Sequence, residues 1–518
     1  MSNVTTGDRG ASQPVVAPAP ALPAARTTLT LVAMCLGAAM TFLEITASIS
    51  GLSTIQAALH VSSANAVWIP SAYTLLVAGL ILAAGTLGNR YGRKRMFSIG
   101  IVVLAVGSLV VASASGIGLV IAGQAISGVG GALILPNSVA LLGVAYPDPH
   151  RRTEAITIWA ASSGIGLAAG PLIAGTLLSH FSWNAVFLAN PVLAVITLAL
   201  TVMVVAESRQ PNAGRLDRPG VALGTLTIAA LVYGLIEGGH QGYASARILG
   251  VFAVAVVAAV LFVVVELGSA APMLDVRLFR ALSFSSVIVV AAVSLFGFTG
   301  ISLLEVLFFQ RVQQLSALDV GWRLLALFLP YILVAGLSGR LIRRIGFRVP
   351  LAGGLIGAGV VSFGLLSQDP STGFGRIWWL FALFGIASGF IVAPSTAAAM
   401  VSVPPAQAGM ASGAVNTARQ VGTVLGTSIL GTVLTSQLAS RLPDQLAVFH
   451  VPEGARDAVV TAVASGASGA AALPAGARDA INAAFVSGVH IGFVIAGTVY
   501  LAAALLVLIG VHNRPHEN

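Results

Sequence analysis

A short basic signature occurs twice in this chain with the same internal spacing, and each copy falls between two long apolar runs. Gly85, Leu87, Arg90, Gly92 and Lys94 of the first copy correspond to Gly339, Leu341, Arg344, Gly346 and Arg348 of the second. A repeat of this kind reads as two halves built on one plan in parallel order, with a site between them. The flanking runs say which solvent the halves fold in. Apolar residues are 57% of the chain and charged residues 8%, against about 25% charged in a soluble domain. Runs such as 29–45 and 248–265 have the ~17–25 apolar residues that a helix needs to cross hydrocarbon. Counting such runs predicts fourteen spans, starting near Thr28, Ala66, Met96, Gly118, Glu154, Asn184, Pro219, Ala246, Ser283, Leu318, Val349, Ile377, Ala408 and Ala484.

The expected fold is therefore an all-α integral membrane protein: two six-helix bundles, residues 28–206 and 283–511, with a 207–282 linker carrying two inserted helices. Residues 1–27 and 512–518 read as tails, the first Ala/Pro-rich and disordered. Residues from about 438 to 483 read as an outer loop. In it GARDA occurs twice, at Gly454–Ala458 and Gly476–Ala480, each two residues after a proline, which suggests a short helical hairpin. An even number of spans puts both termini on one side. Eighteen of the 26 basic residues fall on the side of the Gly85 turn and seven on the other, while Arg419 lies inside a span. The positive-inside rule makes the termini cytoplasmic. Trp68, Trp183, Trp322, Trp378 and Trp379 fall near the opposite ends, where an interfacial aromatic belt belongs.

The net charge of +9 is spread over these turns, so it reports topology and implies no nucleic-acid partner. A single cysteine, Cys35, excludes an internal disulfide. No Cys/His cluster has metal-ligand spacing, nothing asks for a cofactor, and no nucleophile–base constellation suggests an enzyme. The expected partners are the bilayer, a small-molecule substrate and protons, and a two-half chain needs no second copy to form its site.

Ser162, Gly166 and Gly170 recur at intervals of four and so give one helix a smooth face for a close neighbour. Pro171 removes a backbone hydrogen bond beside that face. Together with the twin turns, this segment resembles the major facilitator superfamily, and within it the fourteen-helix drug:proton antiporter branch, over nearly the whole chain. Gly85, Leu87, Arg90, Gly92, Arg93 and Lys94 are similar to the family's loop motif between helices 2 and 3. Gly166, Gly170, Pro171 and Gly175 are similar to the antiporter motif of helix 5. Trp68–Tyr73, Pro272–Phe279 and the group Asn416, Arg419, Gln420 and Gly422 also resemble the branch. Two departures stand out: Asn89 where the loop motif usually has Asp, and Gln124, ahead of Gly128 and Gly130, where the helix 4 motif usually has Arg. The resemblance implies a gate-holding role for that Asp and a proton-coupling role for that Arg, and neither carries over to these residues.

An ionisable group inside a span costs roughly 2.5–3.5 kcal/mol by insertion scales, so each one is a functional candidate. Glu44 lies well inside the first span, with Thr46 two residues on, where the family usually has Asp and Thr; it is the first choice for a proton carrier. The bland reading is a Glu that only ties helices together. Glu305 either meets a substrate or reaches interfacial water. Arg419, with Asn416 one turn earlier, has three open roles: holding an anionic substrate group, pairing with a carboxylate such as Glu44, or bonding backbone carbonyls at a gate. Glu237 and Glu266 read as solvated helix ends, and His490 as a core or interface residue. The resemblance implies proton-coupled efflux of an antibiotic or drug-like molecule by alternating access. A nutrient or metabolite facilitator of the same fold, and a non-transporting membrane sensor, are the alternatives.

Overall fold

Hydrocarbon offers no water to an unpaired N–H or C=O, so long apolar runs satisfy their backbones by becoming helices. The computed structural model describes residues 24–61, 63–66, 68–209, 217–269, 272–403, 407–464 and 474–511. Its helices are α1 (Ala24–Ser50), α2 (Leu52–Leu59), α3 (Ser63–Ala66), α4 (Trp68–Tyr91), α5 (Arg93–Ala112), α6 (Ile117–Ala145), α7 (Pro149–Leu178), α8 (Ala189–Val204), α9 (Arg218–Gln241), α10 (Ala246–Gly268), α11 (Leu282–Leu307), α12 (Ala317–Ile345), α13 (Arg348–Gly364), α14 (Phe374–Val401), α15 (Ala408–Val448), α16 (Glu453–Ala464) and α17 (Ala477–Gly510). Among the described residues fourteen segments are long and apolar enough to cross a membrane, the number expected.

The differences lie at the ends. The helix α1 begins at Ala24, inside the expected tail; residues 1–23, 512–518 and the linker stretch 210–216 lie outside the described residues. Most of the expected outer loop at 438–483 is helix, because α15 continues through Pro443 to Val448 and α17 starts at Ala477. Hydropathy ends the span where Gln437, Ser440 and Arg441 enter. Yet Leu442 and Leu446, one turn apart, pack with Val451, Val459, Ala480 and Ala484 in a small separate core. The two GARDA strings open α16 and α17. The short helices α2 and α3 were not anticipated.

One pairing scheme is used twice. In the first bundle α1 packs on α7 and α8, α4 on α6, and α5 on α6 and α8; in the second α11 packs on α15 and α17, α12 on α14, and α13 on α14 and α17. The bundles meet where α7 lies along α12 and where α4 meets α15. The inserted hairpin α9–α10 covers the second of these lines, with α9 touching both α4 and α15.

The basic turns show what their signature does. Gly92 has φ +113°, and a Cβ there would stand 2.8 Å from the Glu207 carboxylate. That carboxylate accepts from the backbone N–H groups of Lys94 (3.0 Å) and Arg95 (3.2 Å), so it caps the otherwise uncapped start of α5. Lys94 Nζ donates to the carbonyl of Val202 at 3.0 Å, and Arg348 Nη2 donates to the carbonyl of Leu508. Both carbonyls lie in the last turn of the final helix of their bundle, where orphan acceptors and the negative dipole end favour a cation.

Close packing between helices rests on missing side chains. A Cβ on Gly166 would collide with the Ala39 carbonyl of α1, and one on Gly170 with the Thr46 hydroxyl. Gly166→Val is expected to force α1 and α7 apart and to destabilise the protein by about 1–3 kcal/mol, the usual range for overpacking. A lower unfolding temperature of the detergent-purified protein is the readout.

Candidate functional site

The helices α7 and α15 each face two ways. Gly166 and Gly170 turn α7 onto α1, while Gly164 meets the Tyr331 ring and Gly175 meets Leu318, both on α12. In α15, Gly422 and Gly426 approach the carbonyls of Ala292 and Phe296 on α11, and Gly413 faces Leu82 on α4. At the level of Gly164 the seam is tied by a hydrogen bond of 3.2 Å between the hydroxyls of Ser163 and Tyr331. Gly175 against Leu318 closes the end remote from the basic turns. At the basic-turn end a cavity of about 200 Å³ lies between the bundles, lined by Gly85, Asn89 and Arg93 of the first signature and by Met400, Met410, Ser412 and Gly413 opposite.

Glu44 is 1% exposed and sits inside the first bundle. Its Oε2 accepts from Ser108 Oγ (3.1 Å) and Asn190 Nδ2 (2.5 Å), and its Oε1 from Gln124 Nε2 (3.1 Å). The Gln124 amide also reaches Ser48 Oγ at 3.0 Å. Four helices, α1, α5, α6 and α8, thus converge on one carboxyl group. Among the described residues no cation takes part, and every group around it can switch sides: a hydroxyl donates or accepts, and an amide presents N–H₂ or C=O. Gln124 Oε1 and Asn190 Oδ1 have no partner, so acceptors for a carboxylic proton are at hand. Thr46 is not part of this cluster; its hydroxyl bonds the Phe42 carbonyl at 3.2 Å and packs against Gly170.

Glu305 of α11 is wholly buried in the second bundle. Its Oε2 accepts from Gln368 Nε2 at 3.1 Å, its Oε1 has no partner, and the Gln368 carbonyl meets His490 Nε2 at 2.8 Å. A π-helical turn, Phe308–Val312, follows directly. Of the two expected solvated groups, Glu237 is half-buried and bonded, and Glu266 is buried. Glu237 Oε1 accepts from the Trp68 indole at 2.8 Å, bridging α9 and α4. Glu266 is buried beside Asp217, and a Cβ on Gly220 would meet the two carboxyls at 2.6 and 2.7 Å.

Arg419 does not pair with Glu44. Its Nη2 donates to the Val392 carbonyl and, at 3.1 Å, to Ser395 Oγ, both on α14, and its Nε has no partner. Asn416 bonds the Ser412 carbonyl of its own helix at 3.0 Å. Of the two departures, Asn89 Oδ1 accepts two bonds from Arg93, at 2.8 and 3.1 Å, and Gln124 is the Glu44 partner already described. Gly128 and Gly130 admit the Tyr73 carbonyl and the Leu104 backbone respectively. Gly346, at φ +74°, ends α12, and Arg344 is exposed.

Sequence reading missed Ser108 and Asn190, which are polar residues isolated in apolar runs, and Gln368, which lies just past a span. It also missed that Gly422 and Gly426 repeat the spacing of four that marks Gly166 and Gly170. The Glu44 cluster predicts a contrast. Glu44→Gln keeps one acceptor oxygen for Ser108 and Asn190, and its N–H₂ can donate to Gln124 once that amide turns its Oε1 inward, so stability should change little. Glu44→Leu strands buried donors at about 1–3 kcal/mol each, and the unfolding temperature of the purified protein should fall accordingly.

The comparisons agree with this architecture. Residues 34–427 match the family model described as Major Facilitator Superfamily. The chain is 33% identical over 422 residues to multidrug resistance protein Stp of Mycobacterium tuberculosis (strain CDC 1551 / Oshkosh), covering 81% of this chain and 78% of that one. It is 30% identical over 497 residues to the tetracenomycin C resistance and export protein of Streptomyces glaucescens, covering 94% and 92%. In fold it is similar to a bacterial homologue of the human lysosomal transporter Spinster, crystallised inward-facing and unoccupied, with a TM-score of 0.62 at 15% identity over 95% of this chain and 99% of that one. The chain therefore belongs to the major facilitator superfamily, a family of membrane transporters.

Proposed function

We propose that this protein exports an antibiotic or drug-like small molecule across the cytoplasmic membrane in exchange for protons, by alternating access, with both termini in the cytoplasm. The observation that carries the reading is the Glu44 cluster: one carboxyl group, buried at the meeting of four helices, held only by groups that bond it with or without its proton. Gain or loss of that proton changes the bonding of α1 to α5, α6 and α8. The α1 helix is in backbone contact with α7, and α7 lies along α12. A change at Glu44 thus has a packed route to the seam. Protonation and substrate binding must favour different states, because a ligand of equal affinity for both shifts nothing.

The direction and cargo are supported by the relatives, whose names describe multidrug resistance and the export of tetracenomycin C. The orientation is supported by the excess of basic residues at the end that holds the cavity, and by Trp322, Trp378 and Trp379 standing exposed near the other end. The gating roles of the twin turns and of the α7 glycines are part of the same proposal. One chain supplies every residue of it, so a monomer suffices.

In an efflux-deficient bacterium challenged with an antibiotic and dye panel, the wild type should raise tolerance to its substrates. Glu44→Gln at equal membrane abundance should give none. Adding a protected compound to energised inside-out vesicles should release protons with the wild type and not with the variant. Full protection by Glu44→Gln would remove Glu44 from proton coupling.

A further inference from the structure

We propose that Arg419 is the recognition point for an anionic group on the transported molecule, so that the substrates are amphiphilic anions: an apolar body bearing one carboxylate, sulfonate or acidic phenol. This rests on the export reading above and adds the substrate class to it.

The first ground is an uncompensated charge. Arg419 is 5% exposed, and a guanidinium carries five N–H donors and cannot shed its charge in a protein. Its partners are a carbonyl and a hydroxyl of α14, and Nε faces none. The buried carboxyls nearest in role are committed elsewhere, Glu44 to Ser108, Gln124 and Asn190 and Glu305 to Gln368. A buried cation left without a counter-ion is costly. A bidentate anion repays that cost with a geometry that matches the guanidinium fork.

The second ground is the polar face that leads from the cavity wall toward it. Ser412, Asn416, Arg419 and Thr423 are spaced four, three and four apart, which places them on one face of α15. Ser412 is in the cavity wall, and Arg419 is two turns deeper, ~10 Å by the helical rise. Among the described residues, Ser412 Oγ in the cavity wall has no partner, and neither does Thr396 Oγ1 on α14, next to the Arg419 partner Ser395. Protein interiors rarely leave such atoms unsatisfied, so one at the cavity wall and one beside the Arg419 partner point to a ligand or its water.

The third ground is the charge of the cavity itself. Its lining includes Arg93 and Arg152 and, among the described residues, no acidic side chain. The bonds of Arg93 to Asn89 and Ser208, and of Arg152 to the carbonyls of Tyr146 and Pro147, are to neutral groups. Two cations at the mouth and one at depth focus an anion inward. Met273, Met400 and Met410 in the wall supply a soft apolar surface for the rest of the molecule.

Fluorescein and rhodamine 123 share a fused three-ring frame and carry opposite charge, so they serve as matched probes. Fluorescence anisotropy on the detergent-purified full-length protein should show fluorescein binding at least about tenfold tighter than rhodamine 123, the scale of one charge-assisted hydrogen bond. Arg419→Gln should erase the difference, and Arg419→Lys, which keeps the charge without the fork, should retain part of it. Tighter binding of rhodamine 123, binding of neither dye, or an unchanged preference in Arg419→Gln would overturn the proposal; the wild-type comparison decides even if a variant fails to fold. Transport in energised vesicles separates the two readings. Arg419-dependent fluorescein binding with no proton-driven movement keeps the site and overturns the export reading. Proton-driven movement of rhodamine 123 that is indifferent to Arg419 keeps export and overturns the site.

Discussion

Two helices rest directly on the backbone of the first helix of their bundle, and the arrangement of the molecule follows from those contacts. Gly166 and Gly170 bring α7 onto the carbonyl of Ala39 and the side chain of Thr46; Gly422 and Gly426 bring α15 onto the carbonyls of Ala292 and Phe296. Lipid tails are as apolar as leucine, so helices in a membrane gain little by hiding apolar surface from each other, and close van der Waals contact holds them together. Once α7 and α15 are fixed in this way, their other faces form the seam with the opposite bundle. Three residues before the first glycine of each pair stands a polar side chain, Ser163 in α7 and Arg419 in α15. The frame repeats and the chemistry placed on it does not.

The buried charges are kept apart. Glu44 belongs to the first bundle, Glu305 and Arg419 to the second, and each is held by amides, hydroxyls or carbonyls without an opposite charge. A buried ion pair between Glu44 and Arg419 would fix both charges and make the loss of either expensive. A carboxyl held by two amides and a hydroxyl has no such preference. Its surroundings can turn to meet an anion or an acid, as a group that exchanges protons requires, and the arginine stays available to a different partner.

The fold was legible because its signal is long-range and chemical: runs of apolar residues, basic turns and a repeated motif. Starts of spans such as Ala246 and Ala408 were readable to the residue. The extension of α15 was not, since an amphipathic segment that packs on its neighbour looks like loop to any measure of mean hydropathy. For the candidate site, charged residues inside apolar runs singled out Glu44, Glu305 and Arg419, and all three are buried, because such groups are rare in a span and costly wherever they point. Their partners were not readable. Which of several serines and amides reaches Glu44 depends on the rotation of α5, α6 and α8 about their axes, and a hydrophobic run that is buried on many sides leaves that rotation undetermined. The same blindness placed Glu266 in solvent, when it is buried beside Asp217, and hid the bond from Trp68 to the half-buried Glu237.

The hairpin also changes what the basic turn controls. Asn89, where the family resemblance leads one to expect Asp, gives Arg93 a neutral acceptor, and the carboxylate at this turn comes instead from Glu207, at the start of the linker. That linker leads into α9, which is bonded to α4 through Glu237 and Trp68 and packed on both α4 and α15 through Ala78, Ile228, Val232 and Val424. The anion that caps α5 thus lies ahead of the hairpin in sequence, outside the basic motif itself. Any rocking that parts α4 from α15 must therefore strip α9 from one of them, because a single helix packed on both cannot follow two bodies that separate.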